Sequence, residues 1–169
     1  MFSNTIQLAL VNQLNKELES SLLYLSMASW VDNKIGLKGI SEFLYDHSDE
    51  ERDHMFKIIR YINKRNGEFS ISVNSNNLKK TYSSLKNLFQ KLFEHEKSIS
   101  KEINLLVELS LKEKDYFTYH FLQWFIEEQI EEETLSKMFL DKIKLIGENN
   151  VGLYLFDKDI KKYYAKNVN

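Results

Sequence analysis

The 169-residue chain contains no cysteine, no proline and only five glycines. Without cysteine there is no disulfide framework, no thiolate metal site and no cysteine nucleophile, a composition that fits a reducing compartment. Without proline nothing breaks a helix interior, so long helices can run uninterrupted. Neither sign of charge is in real excess: 23 Lys plus Arg stand against 25 Asp plus Glu. The basic surplus of a general nucleic-acid binder is therefore missing. No apolar run approaches the roughly 18 residues of a membrane span, and the opening Met1-Phe2-Ser3-Asn4-Thr5 carries no positively charged leader. The expectation is a cytoplasmic protein with neither a membrane nor a nucleic acid as partner. What the chain does hold is 43% hydrophobic residues, which suits one domain over 1–169 and leaves no room for two.

Four stretches carry apolar residues in alternating steps of three and four, the mark of one buried helical face. The first runs from about Asn4 to Asp32 and the second from about Lys38 to Asn66. The third runs from about Ser83 to Lys112 and the fourth from about Asp115 to Ile146. A short fifth helix is expected over about 150–165. The first-to-second and third-to-fourth links are short, so each pair should be antiparallel. The link from Gly67 to Tyr82 is long. At ~3.3 Å per residue it can reach about 50 Å, whereas a helix of about 28 residues spans about 42 Å. The expected fold is all-α: a four-helix bundle over about 4–147, with one long crossover that leaves helices two and three parallel.

The apolar stripes contain acids. Glu17, Glu51, His54, Glu96, Glu128 and Glu132 sit where the rhythm calls for core residues, and each lies near the middle of its helix. Midpoints meet at one level in a bundle, so the four helices project these groups into one place. Gathered carboxylates repel one another and take up protons unless a cation sits among them. One nitrogen among many oxygens suits iron or manganese better than a structural zinc. Glu51-x-x-His54 places both side chains one turn apart, and Glu51 is central enough to bridge two ions. Di-metal carboxylate bundles draw one Glu from each of two helices and a Glu-x-x-His from each of the other two. Three of those four elements are present.

The segments Asn15-Lys16-Glu17-Leu18-Glu19-Ser20-Ser21-Leu22-Leu23-Tyr24, Glu50-Glu51-Arg52-Asp53-His54, His95-Glu96 and Leu122-Gln123-Trp124-Phe125-Ile126-Glu127-Glu128-Gln129-Ile130-Glu131-Glu132-Glu133 occur in order, each on its own long helix. In these the chain resembles a bacterial non-haem ferritin over nearly its whole length. The resemblance implies that Glu17, Glu51 and His54 hold a first ferroxidase iron. Glu51, Glu96 and Glu132 would hold a second, with Gln129 close by. A third iron site would use Glu50, Glu128, Glu131 and Glu132. Tyr24 matches a tyrosine beside the di-iron centre; it and Trp124 are candidate electron donors, with core packing the alternative for both and the better reading for Trp124. His47, one turn before Glu51, is either a hydrogen-bond donor to the ligands or a satisfied core histidine. Bacterioferritins carry a second Glu-x-x-His where this chain has Gln129-x-x-Glu132, and a haem-ligating Met where it has Arg52, so no haem is expected.

The function implied is iron storage with ferroxidase activity, Fe²⁺ being oxidised by O₂ or H₂O₂ and deposited as mineral inside a self-assembled shell of 24 subunits. Two alternatives remain: a di-iron oxidase or peroxidase that stores nothing, and a non-enzymatic helical interaction module. The second usually needs two long crossovers. On a helical wheel Leu23 and Trp30 fall opposite the core stripe of helix one, which marks them as an outward assembly surface.

Overall fold

Long helices form where the three-four rhythm runs: α1 (Asn4–Lys34), α2 (Lys38–Lys64), α3 (Leu85–Lys112) and α4 (Tyr116–Ile146). The computed structural model describes residues 2–73 and 81–164. Instead of one fifth helix there are two short ones, α5 (Asn150–Asp159) and α6 (Lys161–Tyr164), jointed at the fully buried Ile160. Residues 74–80 of the crossover and Ala165, the expected last residue of the fifth helix, lie outside the described residues.

Side-chain caps set most helix starts. Ser3 accepts from Ile6 N, Ser84 from Asn87 N, Asp115 from Thr118 N and Asn149 from Gly152 N, each worth ~1 kcal/mol of otherwise unsatisfied backbone. At α2 the N-cap position is Leu37, which offers no such group. Asp157 of α5 serves instead, accepting from Ile40 N at 2.8 Å. The α4 helix ends at Gly147, whose φ of 62° is the left-handed turn that glycine adopts without strain.

Contacts between helices give their directions. Phe2 just before α1 meets Tyr61 near the end of α2, so α1 and α2 are antiparallel. Ser20 reaches His95, and Lys16 reaches Glu102, so α1 is also antiparallel to α3. The α2 and α3 helices are therefore parallel, as the long crossover requires. The described parts of that crossover lie along α1. Gln7 accepts from Glu68 N, and Asn15 accepts from Ser72 N while donating to Ser70 O. At the far end the Tyr82 ring packs edge-on against Trp30 at 5.4 Å.

This track corrects the reading of Leu23 and Trp30 as an outward line. Leu23 is only 6% exposed and belongs to an apolar cluster with Tyr82, Leu88 and Leu92, against which the half-buried Trp30 packs. The wheel assumed that α1 is covered on one side, but α2, α3 and the crossover cover it on three.

The core is divided in two. One cluster includes Tyr24, Phe43, Leu44, Phe89 and Phe139; the other includes Leu10, Leu14, Met55, Ile58, Ile103 and Phe125. Between them, halfway along all four long helices, lies the acidic layer. No described helix is long and apolar enough to cross a membrane.

Candidate metal centre

Glu17, Glu51, His54, Glu96 and Glu132 are all buried, none more than 6% exposed. Two groups within this layer bring ligand atoms within 4.8 Å of one another: Glu17, Glu51 and His54 form one, and His47, Glu50 and Glu132 the other.

In the first group His54 Nδ1 stands 3.4 Å from Glu51 Oε2 and 3.9 Å from Glu17 Oε2. Gln13, one turn before Glu17, donates to Glu17 Oε1 at 2.7 Å and fixes the rotamer of that carboxylate. Glu51 Oε2 is fully buried yet makes no hydrogen bond. A buried oxygen in that state costs about 1–3 kcal/mol, unless something positive occupies the space it faces. On its other side His54 approaches Glu128 Oε1, with Nε2 at 3.8 Å.

Glu96 is positioned by its neighbours. Tyr24 donates its phenolic hydrogen to Glu96 Oε1 at 2.7 Å, and Gln129 Nε2 reaches Glu96 Oε2 at 3.4 Å and Ser100 Oγ at 3.3 Å. Burial and the nearby Glu132 push the Glu96 carboxyl up to about 8. Burial and Glu96 raise Glu51 in turn, while burial and Glu51 raise Glu17. Burial and Glu96 also raise the Tyr24 phenol. All these shifts express one imbalance: more negative charge is buried here than the protein's own cations can offset. A divalent or trivalent cation restores the balance, and the oxygen-rich donor set with imidazole nitrogen fits iron.

His47, read from the sequence as either a hydrogen-bond donor to the ligands or a satisfied core histidine, is buried and belongs to the second group. Its Nδ1 donates to Phe43 O at 3.2 Å, which leaves Nε2 as the lone-pair nitrogen, 3.6 Å from Glu132 Oε2 and 3.7 Å from Glu50 Oε2. An imidazole whose second nitrogen is tied to a carbonyl has the tautomer and orientation of a metal ligand. Burial opposes its protonation, but the hydrogen bond and charge of Glu132 outweigh it, so its pKa is raised.

The remaining residues expected at a third site only partly converge. Glu50 is half-buried in the second group, Glu128 leans toward His54, and Glu131 is exposed. All three line one cavity of about 470 Å³ with His47, Glu132 and the C-terminal Tyr163 and Tyr164. Trp124 is half-buried against the His54 ring at 5.2 Å, with Lys57 Nζ 3.7 Å from its ring centroid. His95 is engaged by Ser20, and His120 is exposed. Arg52 is exposed beside Asp49, and Met55 packs in the apolar cluster below the acids.

The family model for a ferritin-like domain matches residues 7–146. A bacterial non-heme ferritin of Campylobacter jejuni is 44% identical, the match covering 95% of each chain. One of Escherichia coli is 37% identical over 92% of this chain and 93% of its own. Among solved structures, an open-pore ferritin of the archaeon Archaeoglobus fulgidus superposes with a TM-score of 0.89 at 36% identity, covering 95% of this chain and 98% of that one. With bundle, crossover and acidic layer all in place, the chain belongs to the bacterial non-haem ferritin family.

Proposed function

We propose that Glu17, Glu51, His54, Glu96 and Glu132 form the centre at which this iron-storing ferroxidase binds two Fe²⁺ ions as substrate, with Glu51 between them. Iron storage and ferroxidase activity are what the family membership carries. The observation supporting the centre is the Glu51 Oε2 atom, buried without a hydrogen bond beside His54. Five buried groups hold the ions, and their carboxylates favour Fe³⁺ over Fe²⁺ because the attraction grows with ionic charge. Two Fe²⁺ give two electrons to O₂, which with two protons becomes H₂O₂; peroxide is the other oxidant. Gln129 and Tyr24 orient Glu96 from the α4 and α1 sides.

A third ion uses Glu50, Glu128, Glu131 and Glu132, and His47 joins them. The cavity they line is the path by which oxidised iron leaves the pair for the mineral. The chain works as one ferritin-like domain over 1–169, in the cytoplasm, assembled as a homo-24-mer that encloses the mineral. A cysteine-free chain suits that reducing compartment.

Stopped-flow oxidation of Fe²⁺ tests the centre. Glu51→Ala abolishes the fast phase, while Glu17→Ala and His54→Ala weaken one site more than the other. A Glu51→Ala protein as fast as the parent overturns the bridge. A crystal soaked anaerobically in Fe²⁺ gives the sites directly through anomalous scattering at the iron edge. Ferric mineral retained after aerobic loading separates storage from a di-iron oxidase that stores nothing.

A further inference from the structure

Three rings run in sequence from the acidic layer to the cavity mouth. Tyr24 is buried with its hydroxyl on Glu96. Its ring lies 5.6 Å from the His47 ring, and His47 lies 5.7 Å from the ring of Tyr164 on α6. Both separations are those of aromatic rings in contact. Phe43 packs on His47 at 4.2 Å and on Tyr164 at 5.0 Å, holding the two in place. Tyr164 is half-buried and donates to the exposed Asp46 Oδ2 at 3.0 Å. The series therefore starts at a tyrosine hydrogen-bonded to one carboxylate and ends at a tyrosine hydrogen-bonded to another.

The aromatic ring on the opposite side of the centre has the reverse setting. Trp124 touches His54, but the Lys57 ammonium sits over its face. A cation there is attracted to the ring electrons and makes their removal harder. Tyr24 instead has its hydroxyl 2.7 Å from Glu96 Oε1, and a carboxylate in that position takes the phenolic proton as the electron leaves, which makes the removal easier. The electrostatics select Tyr24 over Trp124 as the place where an oxidising equivalent enters the protein.

We propose that Tyr24, His47 and Tyr164 form a route that carries oxidising equivalents out of the iron centre to Tyr164, where soluble reductants can quench them. The proposal rests on the ferroxidase reading above, which supplies the oxidant. Reducing H₂O₂ to two waters takes two electrons. With a single Fe²⁺ at the centre, the ion gives one and Tyr24 the other, while two solvent protons complete the waters. The bound Fe²⁺ displaces the proton that the acidic layer otherwise holds, so the Tyr24 phenolic proton moves along its hydrogen bond to the Glu96 carboxylate. The Tyr24 radical then takes an electron from Tyr164 across His47 and recovers its proton from Glu96. Tyr164 passes its own proton to Asp46 and is left as the radical. A soluble reductant returns the electron, and the proton comes back from Asp46. Burial and Asp46 both keep the Tyr164 phenol protonated, so a proton acceptor in contact with it is what the step needs.

The test uses the assembled protein, loaded anaerobically with one Fe²⁺ per chain, mixed with H₂O₂ and frozen for electron paramagnetic resonance. The parent shows a tyrosyl radical that ascorbate removes. Tyr164→Phe keeps the ring packing, but the ascorbate-quenchable radical is lost and the remaining signal stays on Tyr24. Tyr24→Phe loses both signals. Tyr163→Phe, which alters the neighbouring phenol outside the route, changes neither. Retention of the quenchable radical in either Tyr164→Phe or Tyr24→Phe overturns the route. Normal Fe²⁺ oxidation by the parent with no tyrosyl radical overturns the route and leaves the ferroxidase reading standing. Absence of Fe²⁺ oxidation in the parent overturns that reading itself.

Discussion

The backbone carbonyl of Asp157 fills the space where a β-carbon on Gly39 would stand, well inside contact distance. Two residues of α5 and α2 thus approach backbone to backbone, and the same Asp157 caps α2 through Ile40 N. In an exposed helix interior Gly→Ala gains about 0.5–1 kcal/mol. Here the obstacle is a carbonyl, which cannot rotate away like a side chain. Overpacking costs about 1–3 kcal/mol, and lifting α5 also removes the only side-chain cap described for α2. Gly39→Ala should lower the thermal unfolding midpoint. A midpoint equal to or above the parent's would show that α5 is not held by this contact.

Stability of the metal-free protein should fall as pH rises. Glu96 has an ordinary value of 4.5 and sits at about 8 in the fold, raised by burial and Glu132. Between those values the folded state binds more protons than the unfolded state, so unfolding free energy decreases with pH. Glu17 and Glu51 shift in the same direction. The raised His47 adds stability at low pH that is lost as pH climbs through its folded value. All four therefore act with one sign. A divalent cation should remove the trend by replacing the protons, releasing them as it binds. Melting curves from pH 5 to pH 8, with and without Zn²⁺, check both parts. A metal-free protein more stable at pH 8 than at pH 5 would contradict the charge imbalance.

Away from the centre, Asp115 combines two jobs. It caps α4 through Thr118 N and Oγ1, and it receives both terminal nitrogens of Arg65 at 3.0 and 3.1 Å. Burial pushes this carboxyl up, but Arg65 and Thr118 outweigh burial and hold it below its ordinary value. Its contribution is therefore present above the unfolded value and lost as pH falls through the folded one. Asp115→Asn keeps a capping oxygen and gives up the ion pair. Asp115→Ala gives up both, leaving Arg65 with Tyr61 and Thr118 alone, and costs about 1 kcal/mol more for the cap. Denaturant titration should rank parent, Asn and Ala in that order; equal stability of the two variants would dismiss the cap.

How far the sequence could be read follows from which forces are local. The α1 to α4 helices were legible because three-four spacing records burial one residue at a time. The acids were legible because each breaks that rhythm at mid-helix, and midpoints coincide in any bundle. The approach of His47 to Glu132 was not, because Glu132 comes from α4. Leu23 and Trp30 were misread because a wheel knows nothing of a crossover passing behind α1. The joint at Ile160 escaped notice for the same kind of reason. Ile160 is buried in the cluster that also receives Phe43 and Phe156, a fact of tertiary packing absent from local spacing.

With Leu23 buried and Trp30 half-buried against the same cluster, α1 offers no free apolar line, and assembly draws on other surfaces. The α5 helix presents Val151 at 68%, Tyr154 at 61% and Leu155 at 51% exposure, and Leu145 just before it stands 89% exposed. Its buried side is Phe156, which faces the upper cluster. Large apolar side chains gathered on one exposed helix mark an interaction surface, and the resemblance sets this last helix at a symmetry axis of the shell. Tyr154→Glu with Leu155→Glu leaves Phe156, Asp157 and the bundle untouched. It should therefore yield smaller, fully helical species that still oxidise Fe²⁺ but retain no mineral. Leu23→Glu should behave differently: it buries a charge in the upper cluster, so it lowers stability whatever the oligomer size. Sedimentation velocity together with circular dichroism separates the two outcomes. A Tyr154→Glu, Leu155→Glu protein that still sediments as the full shell would remove α5 from the assembly contacts. The parent sedimenting as a 20.1 kDa monomer at all concentrations would remove the shell altogether.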